Sequence, residues 1–220
     1  MIDPENLRKS FHNPYAKTRE EAVAAFRAAL LKVATPYFRS MLPNDQVAHG
    51  ERVFAYELYH QMRLTFNGAW YVNGEFRKGM RVVPEICSDA VMIPDLVVHQ
   101  PDSLEENLLA VEIKAAPRLR TDHLIMDAEK LDFYTRPTHH KPAGLGFALG
   151  IMLIVNADFS AFYKSLPTDK AKRLRSAFGR FGQVAIWNIA QPVANKNDSA
   201  GSLEPTCLKI LRTSWNGWDR

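Results

Sequence analysis

The first part of the chain contains two stretches in which apolar residues recur at helical spacing. The first begins at Thr18 and Glu21, which have the spacing of a capping box, and it ends before Pro36. The second follows Gly50 and reads ERVFAYELYHQMRL. Its apolar stripe consists of Phe54, Leu58 and Met62. We expect two helices here, the second of them amphipathic.

The middle of the chain changes to the shorter period of β-strands. Residues 68–77 read GAWYVNGEFR, and the central Asn73-Gly74 pair predicts a tight hairpin turn. Two short apolar stretches at 91–98 and 108–115 are rich in β-branched residues and predict strands. The polar, proline-containing segment between these two strands predicts a hairpin loop.

The second half alternates between the two patterns. A third helix is predicted at 122–134, capped by Thr121 or Asp122. The segment 146–155 is almost wholly apolar, which is typical of a strand buried on both faces. A basic helix and two further strands are predicted at 169–181, 184–189 and 207–212. The alternation predicts a single α/β domain.

Composition restricts the class of protein. The 220 residues are 46% hydrophobic and 24% charged, which excludes a disordered chain, a collagen-like repeat and a disulfide miniprotein. A formal net charge of +4 is too small to indicate a polyanionic partner by itself. Cys87 and Cys207 are far apart and fit a reducing compartment. With a polar N-terminus and no long apolar run, we expect a cytoplasmic protein without membrane attachment.

Charged side chains interrupt two of the predicted strands. Asp95 is the sole charge in VMIPDLVV, and Glu112 and Lys114 lie in an otherwise apolar run. Glu112 and Lys114 are two apart on a strand, so they project from the same face. A hairpin would place Asp95 beside Glu112. Buried charges are costly unless paired, and adjacent carboxylates repel without a proton or metal between them, so a metal site is indicated.

Magnesium suits these ligands because it favours one or two carboxylates, waters and substrate phosphate. We expect Asp95 and Glu112 to bind Mg²⁺, or Mn²⁺ in its place, with help from the backbone carbonyl of Ile113. Lys114 would orient or deprotonate an attacking water, or stabilise charge that develops on the phosphorus centre. The alternative is a Glu112–Lys114 or Asp95–Lys114 ion pair that only closes the sheet edge.

The order of these features resembles the PD-(D/E)xK nuclease superfamily, the restriction-endonuclease-like fold. The signature here reads Pro94-Asp95 and, after sixteen intervening residues, Glu112-Ile113-Lys114. The resemblance implies an α/β fold whose αβββαβ core, about 47–157, has a mixed central sheet flanked by helices. A helical extension at 1–46 and a C-terminal helix with strands at 158–220 would complete one domain. It also implies Mg²⁺-dependent hydrolysis of phosphodiester bonds in DNA, less often in RNA.

The resemblance also gives roles to polar residues on the helices. Glu57, on the second helix, would complete the metal shell, although a carboxylate paired with Arg63 or His60 is the alternative. Lys130, on the third helix, would point towards the metal site and contact nucleic acid. A plain surface ion pair with Asp127, three residues earlier, explains Lys130 equally well.

Other basic residues are candidates for phosphate contacts. Arg118 and Arg120 directly follow the strand that carries Glu112, so we expect them near the scissile phosphate. The basic helix adds Lys170, Lys172, Arg173 and Arg175. A solvated basic face is common in any protein and is the alternative for that helix.

The leading hypothesis is therefore a metal-dependent nuclease that acts on DNA. A homodimer is compatible with this hypothesis. A second hypothesis is a non-catalytic nucleic-acid-binding or assembly module on the same fold. Such a module would have no Mg²⁺ site that disappears when Asp95 is replaced. A third is a hydrolase of small phosphoesters, which would have a pocket rather than an open groove.

Overall fold

The computed structural model describes ten segments of the chain. They are residues 16–38, 40–41, 47–48, 50–66, 70–74, 93–100, 107–137, 144–179, 184–190 and 209–211. The helices are α1 (Ala16–Leu31), α2 (Glu51–Thr65), α3 (Thr121–Thr135), α4 (Phe159–Lys164) and α5 (Thr168–Gly179), with a 3₁₀ turn at Thr35–Tyr37. The strands are β1 (Ser40–Met41), β2 (Val47–Ala48), β3 (Tyr71–Gly74), β4 (Leu96–His99), β5 (Asn107–Ala115), β6 (Leu149–Val155), β7 (Val184–Ile189) and β8 (Lys209–Leu211).

The described strands β3 to β8 form one six-stranded sheet in chain order. Strands β3, β4 and β5 pair antiparallel, β6 and β7 continue parallel to β5, and β8 is antiparallel to β7. Parallel neighbours need a crossover, which α3 supplies between β5 and β6, and α4 with α5 between β6 and β7. The prediction of an α/β fold with a mixed sheet flanked by helices is confirmed.

Helices cover both faces of the sheet. Alternate residues of β5, such as Val111 and Ile113, pack with α1 and α2, whereas Ala110 packs with α3 and α5. The predicted apolar stripe of α2 is fully buried, and each such side chain contributes about 1.5–3 kcal/mol through burial. Every residue of β6 is buried, as the apolar segment at 146–155 predicted.

Helix α3 lies close to β6 because Gly150 has no side chain. A Cβ added there would come within 3.1 Å of Thr135 Cγ2 and 3.3 Å of Leu131 Cβ. The helix therefore packs tightly across the middle of the sheet. This packing brings the first half of α3 over β5, where the charged strand residues lie.

The predicted turn at Asn73-Gly74 is wrong. Both residues end β3, where they pair with β4. Asn73 Nδ2 lies 2.7 Å from His99 Nε2 on the neighbouring strand, so the side chain that favours turns is instead used between strands. The second arm of that hairpin, 75–77, lies outside the described residues.

Two other boundaries differ from the pattern. The strand predicted at 91–98 begins only at Leu96, after Pro94, which has no N–H to donate to a ladder; residues 91–92 lie outside the described part. Helix α4 was not predicted, and Asp158 caps it by accepting a hydrogen bond from Ala161 N at 3.0 Å. None of the described helices combines the length and the apolar character needed to cross a lipid bilayer.

Candidate active site

The β4–β5 ladder brings the two strand acids together. It pairs Leu96 with Val111, so one step further along the antiparallel register Asp95 lies opposite Glu112. Asp95 Oδ2 also accepts a hydrogen bond from Ile113 N at 2.6 Å. The predicted hairpin is therefore present. The contact described for Ile113 is through its amide, and the role of its carbonyl as a metal ligand stays a prediction.

Glu112 and Lys114 both face α3, as their spacing on the strand predicted. Glu112 Oε2 lies 3.3 Å from Lys130 Nζ, and Lys114 Nζ lies 2.9 Å from Asp127 Oδ2. Among the ion pairs of the described residues, neither the Glu112–Lys114 nor the Asp95–Lys114 alternative occurs. The charges of β5 are instead neutralised across the layer by α3.

Asp127 bridges the two lysines. Its Oδ1 lies 2.8 Å from Lys130 Nζ, while its Oδ2 contacts Lys114. The alternative ion pair of Asp127 with Lys130 is thus present, but it is not a surface pair, because the Asp127 side chain is only 6% exposed. A single buried carboxylate thus fixes both ammonium groups above the strand acids. The sequence pattern shows the Asp127–Lys130 spacing but contains no signal that Asp127 is buried between two lysines.

Helix α2 contributes Glu51 to the cluster. Glu51 Oε2 accepts a hydrogen bond from Ala115 N at 3.3 Å, and its Oε1 lies 3.9 Å from Lys114 Nζ. Glu57 is six residues further along and therefore about 120° around the helix. Its Oε1 accepts a hydrogen bond from Gln61 Nε2 at 2.7 Å. No described contact joins Glu57 to the strand acids, so its place in a metal shell stays a prediction.

The two strand carboxyls are unusually hard to ionise. Burial raises the pKa of Glu112 well above its ordinary value, the charge of Asp95 adds to the rise, and Lys130 opposes it only in part. Burial also raises the pKa of Asp95, against the opposing effects of the Ile113 amide and nearby lysines. Glu112 Oε1 is buried and has no hydrogen-bond partner in the described part of the chain. Such an oxygen needs a proton or a cation.

The two lysines are held in the protonated form. Burial acts to lower the pKa of Lys114, but the hydrogen bond and charge of Asp127, together with other carboxylates, outweigh it and leave the pKa raised. The pKa of Lys130 is also raised, because Glu112 and Asp127 outweigh burial. Both are ammonium ions at neutral pH. Lys114 can therefore donate hydrogen bonds and stabilise negative charge, but it is a poor base towards water.

The cluster suits a hard cation. Two ammonium groups face four carboxylates, which leaves a net charge of −2 when all are ionised. Those carboxylates belong to Glu51, Asp95, Glu112 and Asp127. Within the described segments, no group of three or more His, Cys, Asp or Glu side chains is arranged to hold a metal ion. Asp95 and Glu112 are the strand carboxyls from which Mg²⁺ could take oxygen ligands.

A cleft of about 360 Å³ opens beside the acids, between α2 and the β3–β4 edge of the sheet. Glu51 and Asp95 both line it. Its other walls include Arg52, Tyr56 and Tyr59 from the exposed side of α2. Glu51 and Asp95 are therefore accessible from solvent on this side, whereas Glu112 is buried and does not line the cleft.

The predicted phosphate contacts fall in two places. Arg118 and Arg120 are exposed in the turn between β5 and α3, just beyond the end of the strand that carries Lys114. The other four bases are on α5, where Lys170, Lys172 and Arg173 are exposed and Arg175 is half-buried. Helix α5 packs on α3, and no described contact joins its bases to the sheet acids. The structure thus brings Lys130 to the cluster and the two arginines to its end of the sheet.

We expect Glu112→Gln to stabilise the protein in buffer without divalent cations. The pKa of Glu112 is raised in the folded protein. The contribution of Glu112 to stability is therefore fully present below its pKa in the unfolded chain, and it is lost as pH rises through its pKa in the folded protein. The gain from the substitution should therefore be small at pH 5 and larger at pH 8. Thermal unfolding at both pH values measures it, with about 2–4 °C in Tm for each kcal/mol. The exposed Glu129→Gln is the control, and equal gains at both pH values would contradict the assignment.

The arrangement places two strand carboxyls beside two ammonium groups that Asp127 fixes. A cation bound by those carboxyls, next to an ammonium donor, would be suited to hydrolysis of a phosphate ester. No protein-family model and no curated protein matches the chain.

Proposed function

We propose that the protein is a metal-dependent nuclease of the PD-(D/E)xK type that hydrolyses phosphodiester bonds in DNA. The observation that carries this proposal is the buried Glu112 Oε1, which has no hydrogen-bond partner in the described residues. It lies beside a second carboxylate, Asp95. Two buried carboxylates that close need a proton or a cation between them, and we propose the cation. The helix, three antiparallel strands, helix and parallel strand from α2 to β6 support the αβββαβ core that the sequence resemblance implies.

Each residue of the cluster has a separate task in this proposal. Asp95 and Glu112 hold Mg²⁺ or Mn²⁺, which when bound neutralises phosphate charge and lowers the pKa of a water. Lys114, fixed by Asp127, donates hydrogen bonds to a phosphate oxygen as negative charge builds on it. Lys130 holds Glu112 Oε2 and favours its ionised form.

Charge near the cluster supports a polymeric phosphate substrate. The strand acids alone would repel DNA, so binding needs positive groups along the backbone path. Arg118 and Arg120 are exposed at the end of β5 and are the nearest candidates for phosphates flanking the cut. The exposed bases of α5 would extend that path, and RNA offers the same phosphates.

One observation favours the non-catalytic alternative. The described residues place no third acid or histidine so that a metal-binding group forms. A binding module could keep the same lysine–carboxylate network purely for stability. Calorimetric titration with Mg²⁺ distinguishes these functions, because the nuclease needs a binding event that depends on Asp95.

The deciding experiment is cleavage of supercoiled plasmid and of labelled oligonucleotides. We expect the wild-type protein to cut with Mg²⁺ or Mn²⁺ and to be inactive with EDTA. Asp95→Asn should lose both cleavage and the calorimetric Mg²⁺ signal, while the exposed Asp122→Asn should retain both. Cleavage that survives in Asp95→Asn or in EDTA would overturn the proposal. Mg²⁺ binding that depends on Asp95 without any cleavage would favour the binding module.

The two helix carboxylates should differ in importance. Glu51 contacts Lys114 and the end of β5, whereas Glu57 bonds along its own helix. We expect Glu51→Gln to slow cleavage about 10–100-fold, the cost typical of residues that orient a metal site. Glu57→Gln tests the sequence prediction, and the contacts of Glu57 lead us to expect a smaller change. Single-turnover rates at saturating Mg²⁺ compare the two variants, and equal losses would place Glu57 in the site.

A further inference from the structure

Two tyrosines of α2 face the cleft that opens beside the acids. Tyr56 and Tyr59 are three residues apart, so they lie on neighbouring parts of one helix face. Tyr56 is 63% exposed, as are Val53 and Leu64 of the same helix at 48% and 66%, whereas Phe54, Leu58 and Met62 are buried. A large ring left in solvent on the wall of a cleft is suited to stacking with a ligand.

Tyr59 is in contact with Arg63 of the same helix. Arg63 Nη1 donates a hydrogen bond to Tyr59 Oη at 3.5 Å, and the Arg63 guanidinium lies 6.0 Å from the centre of the tyrosine ring. Arg52, one residue after Glu51, adds a positive group to the same cleft. The walls therefore combine aromatic faces, a cation and the carboxylates of Glu51 and Asp95.

The dimensions and chemistry of the cleft favour one planar, polar ring system. Its volume of about 360 Å³ is near the lower end of ligand pockets, which run from about 300 to 1,000 Å³. Nucleobases stack on tyrosine rings and on arginine guanidinium groups, and every base has such a face. A strand whose phosphate lies at Asp95 would carry its adjoining base into this space.

We propose that this cleft, lined by Arg52, Tyr56, Tyr59 and Asp95, binds an unstacked nucleobase next to the phosphate that is cut. The inference rests on the proposed nuclease function and deepens it by naming the substrate class: nucleic acid that is single-stranded at the cleavage point. Bases in a duplex must be unstacked before they can enter such a cleft, so single strands bind at lower cost. Recognition by stacking is tolerant of sequence.

Binding in EDTA tests the cleft without cleavage. Fluorescence anisotropy of the full-length protein with a labelled single strand should show affinity at least about fivefold weaker for Tyr56→Leu. Tyr56→Phe keeps the ring and should bind as the wild type does. Tyr71→Leu is the matched control, because Tyr71 is also exposed, at 53%, but does not line the cleft. A blunt duplex of the same sequence should be little affected by any of the three substitutions.

The outcomes separate this inference from the nuclease proposal. Unchanged single-strand affinity in Tyr56→Leu, an equal loss in Tyr71→Leu, or an equal loss for the duplex would overturn the cleft assignment. Metal-dependent cleavage that persists with any of those results would leave the nuclease proposal standing. If the wild-type protein binds single strands through Tyr56 but never cleaves them, the cleft assignment stands and the nuclease proposal is overturned. Equal Tm values for the variants show that the fold is unchanged.

Discussion

Lys114→Ala is expected to slow phosphodiester cleavage by about 10²–10³-fold, the effect of removing one preorganised donor from a site of developing negative charge. The ammonium group lies 2.9 Å from Asp127 Oδ2 and within 3.9 Å of Glu51 Oε1, so its position is fixed before substrate arrives. A donor that is already in place needs no reorganisation during the reaction. Single-turnover rates at saturating Mg²⁺ and DNA measure the loss.

Binding of the metal should respond differently from the rate. Lys114 is not a carboxylate ligand, and its removal makes the cluster more negative, so Mg²⁺ affinity should stay equal or increase. Lys114→Arg keeps the charge but has a planar, wider head group, and we expect it to restore only part of the rate. A normal rate in Lys114→Ala would remove the residue from the reaction. A lost Mg²⁺ signal would instead indicate a damaged fold.

The pH profile distinguishes a donor from a base. Because the pKa of Lys114 is raised, the ammonium form persists through neutral pH, and the rate should fall only as the group deprotonates at alkaline pH. A lysine acting as base would give the opposite slope over that range. On the acid side, the raised pKa of Glu112 should lower both Mg²⁺ affinity and rate as pH falls.

The strand residues of the site could be predicted because the cost of burying their charges can be read from the local sequence. Three charges in apolar, β-branched runs are costly wherever those runs are buried, and the two-residue period fixes the shared face of Glu112 and Lys114. The hairpin that joins them to Asp95 follows from one polar connection between two strands. The distances and the hydrogen bond to Ile113 required the structure.

The rotation of α2 about its own axis determines which of its carboxylates reaches the cluster. The buried stripe at Phe54, Leu58 and Met62 fixes that rotation, and Glu51 precedes Phe54 by three residues, on the same side. Glu57 is next to Leu58 in sequence and so about 100° away around the helix. The apolar spacing therefore contained the signal for Glu51, but the sequence resemblance drew attention to Glu57.

Local preference was misleading where pairing between elements decided the outcome. Asn73 and Gly74 favour a turn in isolation, yet β4 takes them into the sheet. Asp127 and Lys130 match a solvent-exposed pair, yet Asp127 shares its face of α3 with the buried Leu124 and Leu131. In both cases the neighbouring strand or layer determines what the side chains contact. A short stretch of sequence does not include that neighbour.

Asp127→Ala is expected to destabilise the protein by about 2–3 kcal/mol. Removing one partner of a buried ion pair costs about 3–5 kcal/mol, because the remaining charge is left without compensation. Lys114 and Lys130 are 20% and 24% exposed, so water recovers part of that cost. Since each kcal/mol corresponds to about 2–4 °C, the Tm should fall by roughly 4–12 °C.

Charge, rather than packing, should account for most of that loss. Asp127→Asn keeps the shape and one acceptor oxygen but removes the charge, so it should be nearly as unstable as Asp127→Ala. Combining Asp127→Ala with Lys114→Met, Lys130→Met and Glu112→Gln should recover stability, since the whole buried ionic group is then replaced and no charge is left without a partner. The exposed Glu129→Ala on the same helix is the control for helix effects. Strictly additive effects in the combined variant would show that the four groups do not act together.

The same substitution separates a structural network from one that serves catalysis. Without Asp127, burial acts on the pKa of Lys114 with less opposition, so the pKa should fall. The alkaline fall in cleavage rate should then move to lower pH in Asp127→Asn, while Mg²⁺ binding through Asp95 is retained. A purely structural bridge would lower Tm and leave the shape of that pH profile unchanged. The pH profile of a folded Asp127→Asn protein therefore decides whether Asp127 positions the lysine for reaction or only holds α3 on the sheet.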